Sequence, residues 1–360
     1  MNALDPTPFL RARKLLLVHL GVLGDAVHLT PALLALREMC AAAELHVVST
    51  PVACDVLRLA VPEARFWPLE RNPAKRSLRA QWRLLRGLRR ERFDAAINLS
   101  AVDRSILITG LSGARHRLGH LGGREHFWNR WLIPHWAPRQ PRLQTVYRQH
   151  LGALAAAGFP LAPRGLKLSP PAAETAWAAK HIPAGAAHFS LNASGPMKEW
   201  PLEHYLALAR RLLQERPDLR IVISGTNAPR EQARREAFRR ELDDPRANVL
   251  PAPLSIAQLA AALARCRLHV GPDSGVVHLA AALGVPTVSL FRRRGHYDAW
   301  LPRGPRHRHF LGPCDCPDGR PEACRAFGQA RCLKAIPPET VLPAALELLA
   351  TPPAPAPPAG

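Results

Sequence analysis

The chain is short of acidic and of aromatic side chains. Its 360 residues include 28 Asp and Glu against 49 Lys and Arg, which gives a net charge of +21, and aromatic residues make up 6%. This basic balance favours anionic partners, such as phosphates, acidic lipids or nucleic acid. The sequence lacks a helix-turn-helix, a zinc-finger pattern and an RNA-binding sheet motif. Specific nucleic-acid recognition is therefore disfavoured, and non-specific binding stays an alternative.

The chain also lacks a long apolar run and a secretory signal. Residues 15–20 are apolar, but the run is too short to span a bilayer and Gly21 follows it. We therefore expect a cytoplasmic protein.

A dinucleotide-binding fingerprint is absent as well. Gly21 and Gly24 allow a sharp loop after the first strand-like run, but their spacing does not match G-x-G-x-x-G. The second strand-like run ends at Ser49 and Thr50, without the acid that would bind a ribose. These departures argue against a nicotinamide-dependent dehydrogenase.

Seven cysteines are an odd number for a disulfide framework. Four of them lie near the C-terminus, at Cys314, Cys316, Cys324 and Cys332. Their spacing differs from a pair of Cys-x-x-Cys knuckles. Two interpretations stay open: ordinary reduced thiols and a structural zinc site.

The most informative segment that is present is residues 271–284 (GPDSGVVHLAAALG), between two strand-like apolar runs. Asp273 or Ser274 is predicted to N-cap a helix there, and Gly275 lets a ligand approach free backbone N–H groups. A helix N-terminus of this kind favours a phosphate. A plain helix cap is the alternative.

A second segment begins with residues 14–20 (KLLLVHL), which predict a buried first strand. Thr30 and Pro31 suit the N-cap and first position of a helix, so residues 21–29 are predicted to be a loop or a kinked first turn. Asp25 then lies at the carboxyl end of the strand, where ligands of open α/β sheets bind. A carboxylate there can take a proton from a hydroxyl nucleophile, and a turn-capping role is the alternative.

A third segment, residues 191–201 (LNASGPMKEWP), lies between a strand-like run at 187–191 and a helix-like run at 202–213. Lys198 is predicted at the same kind of sheet edge as the helix cap described above. It can neutralise a diphosphate as a mobile point charge, and a solvated lysine is the alternative. Ser194 is a candidate phosphate contact by its position.

In this order and spacing, the three segments are similar to the heptosyltransferases of glycosyltransferase family 9, over about residues 14–348. The pattern of that family is a Gly-Asp loop before a Thr-Pro-Ala-Leu helix, then a Lys-x-Trp-Pro loop, then Asp-Thr/Ser-Gly-x-x-His-Leu-Ala-Ala-Ala-Leu-Gly. The resemblance implies an α/β chain of the GT-B type. In that arrangement two Rossmann-like, doubly wound domains face each other across a cleft.

The sequence supports two such domains independently. Strand-like runs alternate with longer helical patterns, which is typical of doubly wound sheets. We expect an N-terminal acceptor-binding domain at 1–160, a Pro-rich linker at 161–171, a C-terminal nucleotide-sugar-binding domain at 172–350, and a disordered Pro/Ala tail at 351–360.

The resemblance implies an inverting transfer of a sugar, heptose from ADP-heptose, to a hydroxyl of a lipopolysaccharide core or related glycan. Asp25 would be the general base, and Lys198 would neutralise the departing diphosphate. Ser274 and Gly275 would bind its phosphates, with Asp273 ordering the turn. No Asp-x-Asp pair is placed to hold Mg²⁺ or Mn²⁺, so neither a catalytic metal nor another cofactor is expected.

Three further residues complete the predicted donor site. Thr226 follows a strand-like run, in the loop that the family uses for the nucleoside, and Glu231 is the nearby acid that could bind ribose hydroxyls. His278 lies one turn into the predicted phosphate-binding helix. It either reaches the donor or packs the helix.

One predicted helix concentrates positive charge, and it also carries Trp82 and several leucines. Its basic residues are Lys75, Arg76, Arg79, Arg83, Arg86, Arg89, Arg90 and Arg92. The helix could rest on the anionic inner membrane or face an anionic glycolipid acceptor, and a solvated face is the alternative. A non-catalytic protein that binds nucleotide sugars, glycans or nucleic acid is the alternative to an enzyme.

Overall fold

The structure is a computed structural model that describes residues 5–70, 77–100, 102–120, 126–142, 144–293, 297–313, 324 and 328–351. The chain divides into two compact units, Met1–Leu166 and Lys167–Gly360. Four of the residues singled out above (Lys75, Arg76, Cys314 and Cys316) and tail residues 352–360 lie outside the described residues.

The first unit is a parallel sheet with helices on both faces. Its strands are β1 (Lys14–Val18), β2 (Glu44–Ser49), β3 (Arg65–Pro68), β4 (Ala95–Asn98), β5 (His116–His120) and β6 (His135–Ala137). Its helices are α1 (Thr7–Leu10), α2 (Leu23–Met39), α3 (Pro51–Arg58), α4 (Leu78–Glu91), α5 (Asp103–Leu111), α6 (Asn129–Leu132) and α7 (Val146–Ala156). The strand order is β3-β2-β1-β4-β5-β6.

The second unit repeats this architecture. Its strands are β7 (Ala187–Ser190), β8 (Ile221–Ser224), β9 (Ala247–Val249), β10 (Leu268–Pro272), β11 (Thr287–Phe291) and β12 (His307–Leu311). Its helices are α8 (Ala172–His181), α9 (Leu202–Glu215), α10 (Pro229–Leu242), α11 (Ile256–Ala264), α12 (Gly275–Ala282), α13 (Arg331–Lys334) and α14 (Pro338–Ala350). The strand order is β12-β11-β10-β7-β8-β9, and the strands are parallel.

Both sheets confirm the predicted α/β, doubly wound fold class. Their central strands are apolar runs because helices cover both faces of a parallel sheet, and residues 15–18 of β1 are completely buried. The core of the second unit includes Trp200 and Tyr205, which are also fully buried. Their polar atoms donate to the carbonyls of Ile336 and Ser190, each at 3.0 Å, so burying these two side chains leaves no donor unpaired.

The strand order reverses between β1 and β4 in the first sheet and between β7 and β10 in the second. Ligands of doubly wound sheets bind at the carboxyl ends of the strands at such switch points. The loops that follow β1, β7 and β10 carry the three segments singled out in the sequence.

The predicted start of α2 is wrong. The helix begins at Leu23 rather than after Thr30, and Pro31 lies inside it. A proline in a helix leaves the carbonyl four residues earlier without its usual N–H donor. Thr30 Oγ1 compensates by donating to that carbonyl, of Val27, at 2.8 Å. The helix therefore continues through a residue that more often begins one.

The boundary between the two units falls between Leu166 and Lys167, inside the stretch assigned to the linker at 161–171. Arg164 still belongs to the first unit, where its guanidinium pairs with the Glu38 carboxylate. Leu168 already belongs to the second, where its N–H donates to the Ala282 carbonyl at 2.8 Å.

Candidate functional site

Asp25 lies in the first turn of α2, directly after β1 at the switch point of the first sheet. Its Oδ2 accepts a hydrogen bond from the backbone N–H of Val22 at 2.8 Å, which caps the helix. Among the described residues, Oδ1 makes no hydrogen bond. The capping role is therefore present, and it leaves one carboxylate oxygen available for a proton.

The two loop glycines differ in what they do. A Cβ on Gly21 would lie 2.3 Å from Asp25 Cβ and 2.6 Å from His19 Cε1. Only glycine fits there, because both contacts fall well inside van der Waals distance. Gly24 is a buried residue within α2, so it belongs to the helix and not to the predicted loop.

An uncharged pair of imidazoles, His19 and His150, includes one ring close enough to Asp25 to interact with its charge. Burial lowers the pKa of His19, and the nearby Asp25 charge partly opposes this shift. His150 of α7 contacts His19 edge to face, with ring centroids 5.4 Å apart. Burial, and then repulsion from His19, keep the pKa of His150 well below its usual value. Both rings are therefore neutral near neutral pH.

In the second unit, the structure brings Lys198 and Asp273 together. Lys198 ends a single 3-10 turn, Pro196–Lys198, in the loop after β7, and Asp273 directly follows β10. Because β7 and β10 are hydrogen-bonded neighbours, their carboxyl ends bring the two loops side by side. Lys198 Nζ lies 2.7 Å from Asp273 Oδ2. A cation is thus held at the predicted phosphate site before any ligand arrives.

Ser274 occupies the N-cap position of α12, but its side chain does not cap the helix. Its Oγ is buried and has no hydrogen-bond partner among the described residues. A buried hydroxyl left unpaired costs free energy, so this one is available for a ligand atom. Gly275 is the first residue of the helix.

His278 is buried one turn further along α12, against Phe291 and Trp300. Burial, with a smaller contribution from the Lys198 charge, lowers the pKa of His278 to about 3. The ring is therefore uncharged near neutral pH and packs between α12 and its neighbours. The ring is also close enough to Lys198 for the lysine charge to contribute to this lowering of its pKa.

Thr226 and Glu231 form one hydrogen-bonded unit at the carboxyl end of β8. Both the backbone N–H and the hydroxyl of Thr226 donate to Glu231 Oε2, each at 2.9 Å. The backbone N–H of Ala228 donates to Thr226 Oγ1 at 3.2 Å. The carboxylate thus orders the loop that begins α10.

Asn192 is a site residue that sequence reasoning missed. It lies two residues after the end of β7 and is only 8% exposed. Neither its Oδ1 nor its Nδ2 has a partner among the described residues. Extending the strand registers by two residues beyond Ser190–Ser224 and by three beyond Phe189–Val270 places Asn192 between Thr226 and Asp273. The available signal was its position at the start of the loop that carries Lys198, but a sequence does not show which polar atoms stay unpaired.

Sequence reasoning also missed the side chains that hold the Lys198 loop. Glu199 is buried, accepts from the Ala193 N–H at 3.0 Å and pairs with Arg230 of α10. Arg230 also donates to the Ala193 carbonyl at 3.0 Å, and Arg234 donates to the Leu191 carbonyl at 3.1 Å. Two arginines four residues apart on α10 were the available signal. Ser194, in the same loop, is exposed.

One group among the described residues has the donor types of a metal site: Glu44, His46 and Glu91. Its atoms already have partners. Trp67 donates to His46 Nδ1 at 3.0 Å, and His46 Nε2 lies 2.8 Å from Glu44. Lys14 and Arg65 each lie 2.7 Å from a Glu91 oxygen. These residues therefore form a charge-compensated network. Strand β1 begins at its Lys14 and β2 at its Glu44. Of the four C-terminal cysteines, Cys324 and Cys332 lie among the described residues and are buried.

Comparisons with known proteins identify the family of this chain. The model of Glycosyltransferase family 9 (heptosyltransferase) matches residues 81–321. The lipopolysaccharide heptosyltransferase 1 of Pseudomonas aeruginosa is 44% identical over 94 residues, which is 26% of this chain and only 25% of that protein. The alignment with this curated relative therefore spans about a quarter of its length.

Two solved structures are similar over nearly the whole chain. The ADP-heptose LPS heptosyltransferase II of Escherichia coli is 22% identical, with a TM-score of 0.73, covering 93% of this chain and 98% of that one. The E. coli heptosyltransferase WaaC with ADP-2-deoxy-2-fluoro heptose is 19% identical, with a TM-score of 0.68, covering 93% and 99%. At these identities the likeness concerns the fold. Because the family model spans most of the chain, the protein belongs to glycosyltransferase family 9, the heptosyltransferase family.

Proposed function

We propose that this protein transfers heptose from ADP-heptose to a hydroxyl of a lipopolysaccharide-core or related glycan acceptor, with inversion and without a divalent metal. Family membership supports the reaction class. The printed descriptions of the similar structures, one of them with an ADP-heptose analogue, support the donor. The observation that carries the proposal is the Lys198–Asp273 pair beside the unpaired Ser274 hydroxyl.

On the donor side, the diphosphate takes the electron pair of the breaking glycosidic bond. Lys198 turns from Asp273 to the phosphate oxygens and offsets their growing charge. The Ser274 hydroxyl donates to a phosphate oxygen, and Gly275 lets the diphosphate approach the start of α12. Asp273 thus holds the Lys198 side chain in position until the donor binds. His278 is uncharged, so this ring adds no charge to the site.

The nucleoside is assigned to the loop after β8. Glu231 Oε2 is used by Thr226, and Oε1 is left to accept from ribose hydroxyls. Ser194 is exposed and contacts the diphosphate only once the donor is bound.

On the acceptor side, Asp25 Oδ1 accepts the proton of the attacking hydroxyl. The Val22 N–H fixes the orientation of the carboxylate through Oδ2. Burial lowers the pKa of the neighbouring His19, so this neutral imidazole is a weak competitor for the proton. General-base assistance of this kind contributes about 10²–10⁴-fold to a rate.

Asp25→Asn tests the proposal. The amide keeps the size of the side chain but cannot take a proton, so the transfer rate should fall about 10²–10⁴-fold. ADP should still raise the melting temperature of the variant as much as that of the wild type, and more than UDP, GDP or NAD does. The matched control is Asp55→Asn, on exposed α3 surface, which should leave the rate unchanged.

Two results would contradict the proposal. If the Asp25→Asn protein transfers heptose at the wild-type rate, Asp25 is not the general base. Wild-type protein that binds ADP-heptose but transfers nothing to any core glycan supports the alternative of a non-catalytic binding protein. Inversion is checked separately, by comparing the anomeric configuration of donor and product by NMR.

We place this reaction in the cytoplasm, at the inner face of the membrane that presents an anionic glycolipid acceptor. Among the described residues, no helix is both long and apolar enough to cross a bilayer. The excess of basic side chains supports association with an anionic surface.

A further inference from the structure

Exposed apolar side chains are concentrated in one part of the first unit. Among the described residues, seven of the eight large apolar side chains that are exposed lie between residues 78 and 131. They are Leu78, Trp82, Val102, Leu107, Leu111, Phe127 and Trp131. The aromatic ones are the least covered: Trp82 is 73%, Phe127 82% and Trp131 79% exposed. Apolar side chains gathered in this way mark an interaction site.

The topology places these residues on one face of the first sheet. Helices α4, α5 and α6 follow β3, β4 and β5, and each connection runs in the same direction across the strand order. Because parallel crossovers are right-handed, such connections lie on the same face. Helix α5 contacts both α4 and α6. A Cβ on Gly110 of α5 would lie 2.7 Å from Leu132 Cβ of α6, so these two helices pack closely.

The same face carries a stripe of unpaired positive charge. Arg79, Arg83, Arg86 and Arg90 recur at intervals of four, three and four residues along α4, and all are exposed. This spacing keeps them on one side of the helix. Among the described residues none of the four forms an ion pair. The opposite side of α4 packs Leu84 and Leu88 into the core.

We infer that this aromatic–arginine face, defined as the seven apolar residues and four arginines above, docks the protein on the surface of an anionic phospholipid bilayer. Tryptophan is enriched at the boundary between acyl chains and headgroups, because its ring is apolar and its N–H is polar. Arginine beside it pairs with lipid phosphates. The combination is typical of surfaces that lie in a membrane interface.

Two other occupants fit the face less well. In a symmetric pair of copies, the same patch meets itself, so arginine stripes would be brought toward each other. Nucleic acid would pair with the arginines, but it offers no apolar surface for Leu78, Leu107 and Leu111. An anionic bilayer supplies both the negative charge and the hydrocarbon.

The test is binding of the full-length protein to vesicles of phosphatidylglycerol and phosphatidylethanolamine, measured by co-sedimentation. Replacing Arg79, Arg83 and Arg86 together by Gln should weaken binding roughly 100-fold, since each arginine near an anionic surface contributes about fivefold. Trp82→Ser and Trp131→Ser should each weaken binding about tenfold. Wild-type protein should bind pure phosphatidylcholine vesicles much more weakly.

The matched control replaces Arg211 of α9 and Arg239 and Arg240 of α10 by Gln. These three arginines are exposed in the second unit, and their loss lowers the net charge by the same amount. The control should bind vesicles as the wild type does. Equal weakening by both triple variants would show a general charge effect and overturn the proposal.

Further outcomes separate this proposal from its competitors and from the proposed function. Unchanged vesicle binding in the tryptophan variants overturns it, as does a change in their oligomeric state on gel filtration, which would indicate a second copy. If the triple arginine variant lost binding to DNA but kept binding to vesicles, the partner of this face would be nucleic acid and the proposal would be overturned. Trp82→Ser and Trp131→Ser should keep the wild-type rate on a water-soluble acceptor, so a failure of docking is distinct from a failure of transfer.

Discussion

At the scale of single residues, Asn192 is the least expected feature of the proposed donor site. Buried carboxamides in folded proteins are almost always hydrogen-bonded, yet both polar atoms of this one lack partners among the described residues. It lies by register between the Thr226 loop and Asp273. In the proposed donor site, a side chain with one donating and one accepting group at that position would suit a hydroxyl of the sugar or of the ribose.

Asn192→Ala should weaken binding of ADP-heptose about tenfold, the effect of one hydrogen bond to a ligand. The melting temperature of the ligand-free variant should not fall, because an amide without partners contributes no hydrogen bond to the fold. Isothermal titration with ADP and with ADP-heptose measures the affinities and shows whether the contact is to the sugar. The control is Asn248→Ala on exposed β9. A drop in stability with unchanged affinity would show that Asn192 is structural.

At the scale of elements, the junction of β1 and α2 shows how a helix start depends on one side chain. Asp25 at the third helical position bonds the Val22 N–H, so the helix begins before Thr30 despite Pro31. The backbone of Gly21 lies against the Asp25 side chain. The candidate base, the helix cap and the glycine are therefore one unit.

Gly21→Ala should disturb this junction. Its new Cβ would lie 2.3 Å from Asp25 Cβ, and that atom is attached directly to the helix backbone and cannot swing away. We expect a loss of about 1–3 kcal/mol in the free energy of unfolding, together with a lower transfer rate. Urea unfolding and a transfer assay measure the two effects. Gly165→Ala, where a Cβ meets nothing within 4 Å, should change neither; equal behaviour of both variants would contradict the prediction.

At the scale of the whole molecule, buried neutral imidazoles occur in both units. They include His19, His46 and His150 in the first unit and His188, His269 and His278 in the second. Burial lowers the pKa of His188 to about 3, and it also places the pKa of His269 well below its usual value. His188 contacts Ser224 Oγ at 2.8 Å and His269 Nδ1 at 2.9 Å, so these rings are built into the sheet uncharged.

The protein should lose stability as the pH falls from about 6.5 toward about 3. An imidazole in the unfolded chain binds a proton below about pH 6.5, while the buried rings stay unprotonated to a lower pH. The unfolded state therefore binds more protons, and it is stabilised relative to the folded state as the pH falls. Each such ring contributes up to about 1.4 kcal/mol per pH unit to the slope. Urea unfolding at several pH values measures this slope.

His188→Gln is the variant for this measurement. Removing one buried ring should make the dependence of unfolding free energy on pH shallower, whatever its effect on stability at neutral pH. His181→Gln removes an exposed ring at the end of α8 and should leave the slope as it was. Parallel pH profiles for the wild type and both variants would exclude the buried imidazoles as the cause.

Much of this fold could be predicted from local pattern. The strand at Thr287–Phe291 has the bounds that its apolar run indicates. The helix after Pro201 begins at Leu202, where its apolar periodicity begins. Asp25 and Lys198 were predicted at the carboxyl ends of strands, and the structure places both after central strands. Asp25 lies there in the first turn of α2 rather than in a loop. Runs, caps and loops of this kind depend on neighbours along the chain, which a sequence displays.

By itself, then, the sequence determined two doubly wound α/β units and the segments on which the candidate residues lie, because period and local motif specify strands and helices. Only the tertiary structure decided that Lys198 pairs with Asp273, that Asn192 is left without partners among the described residues, and that α4, α5 and α6 lie on one face of the first sheet with exposed apolar side chains. The physical reason is that these contacts join residues far apart in the chain. Strand order and helix packing bring them together, and neither is written in any short stretch of residues.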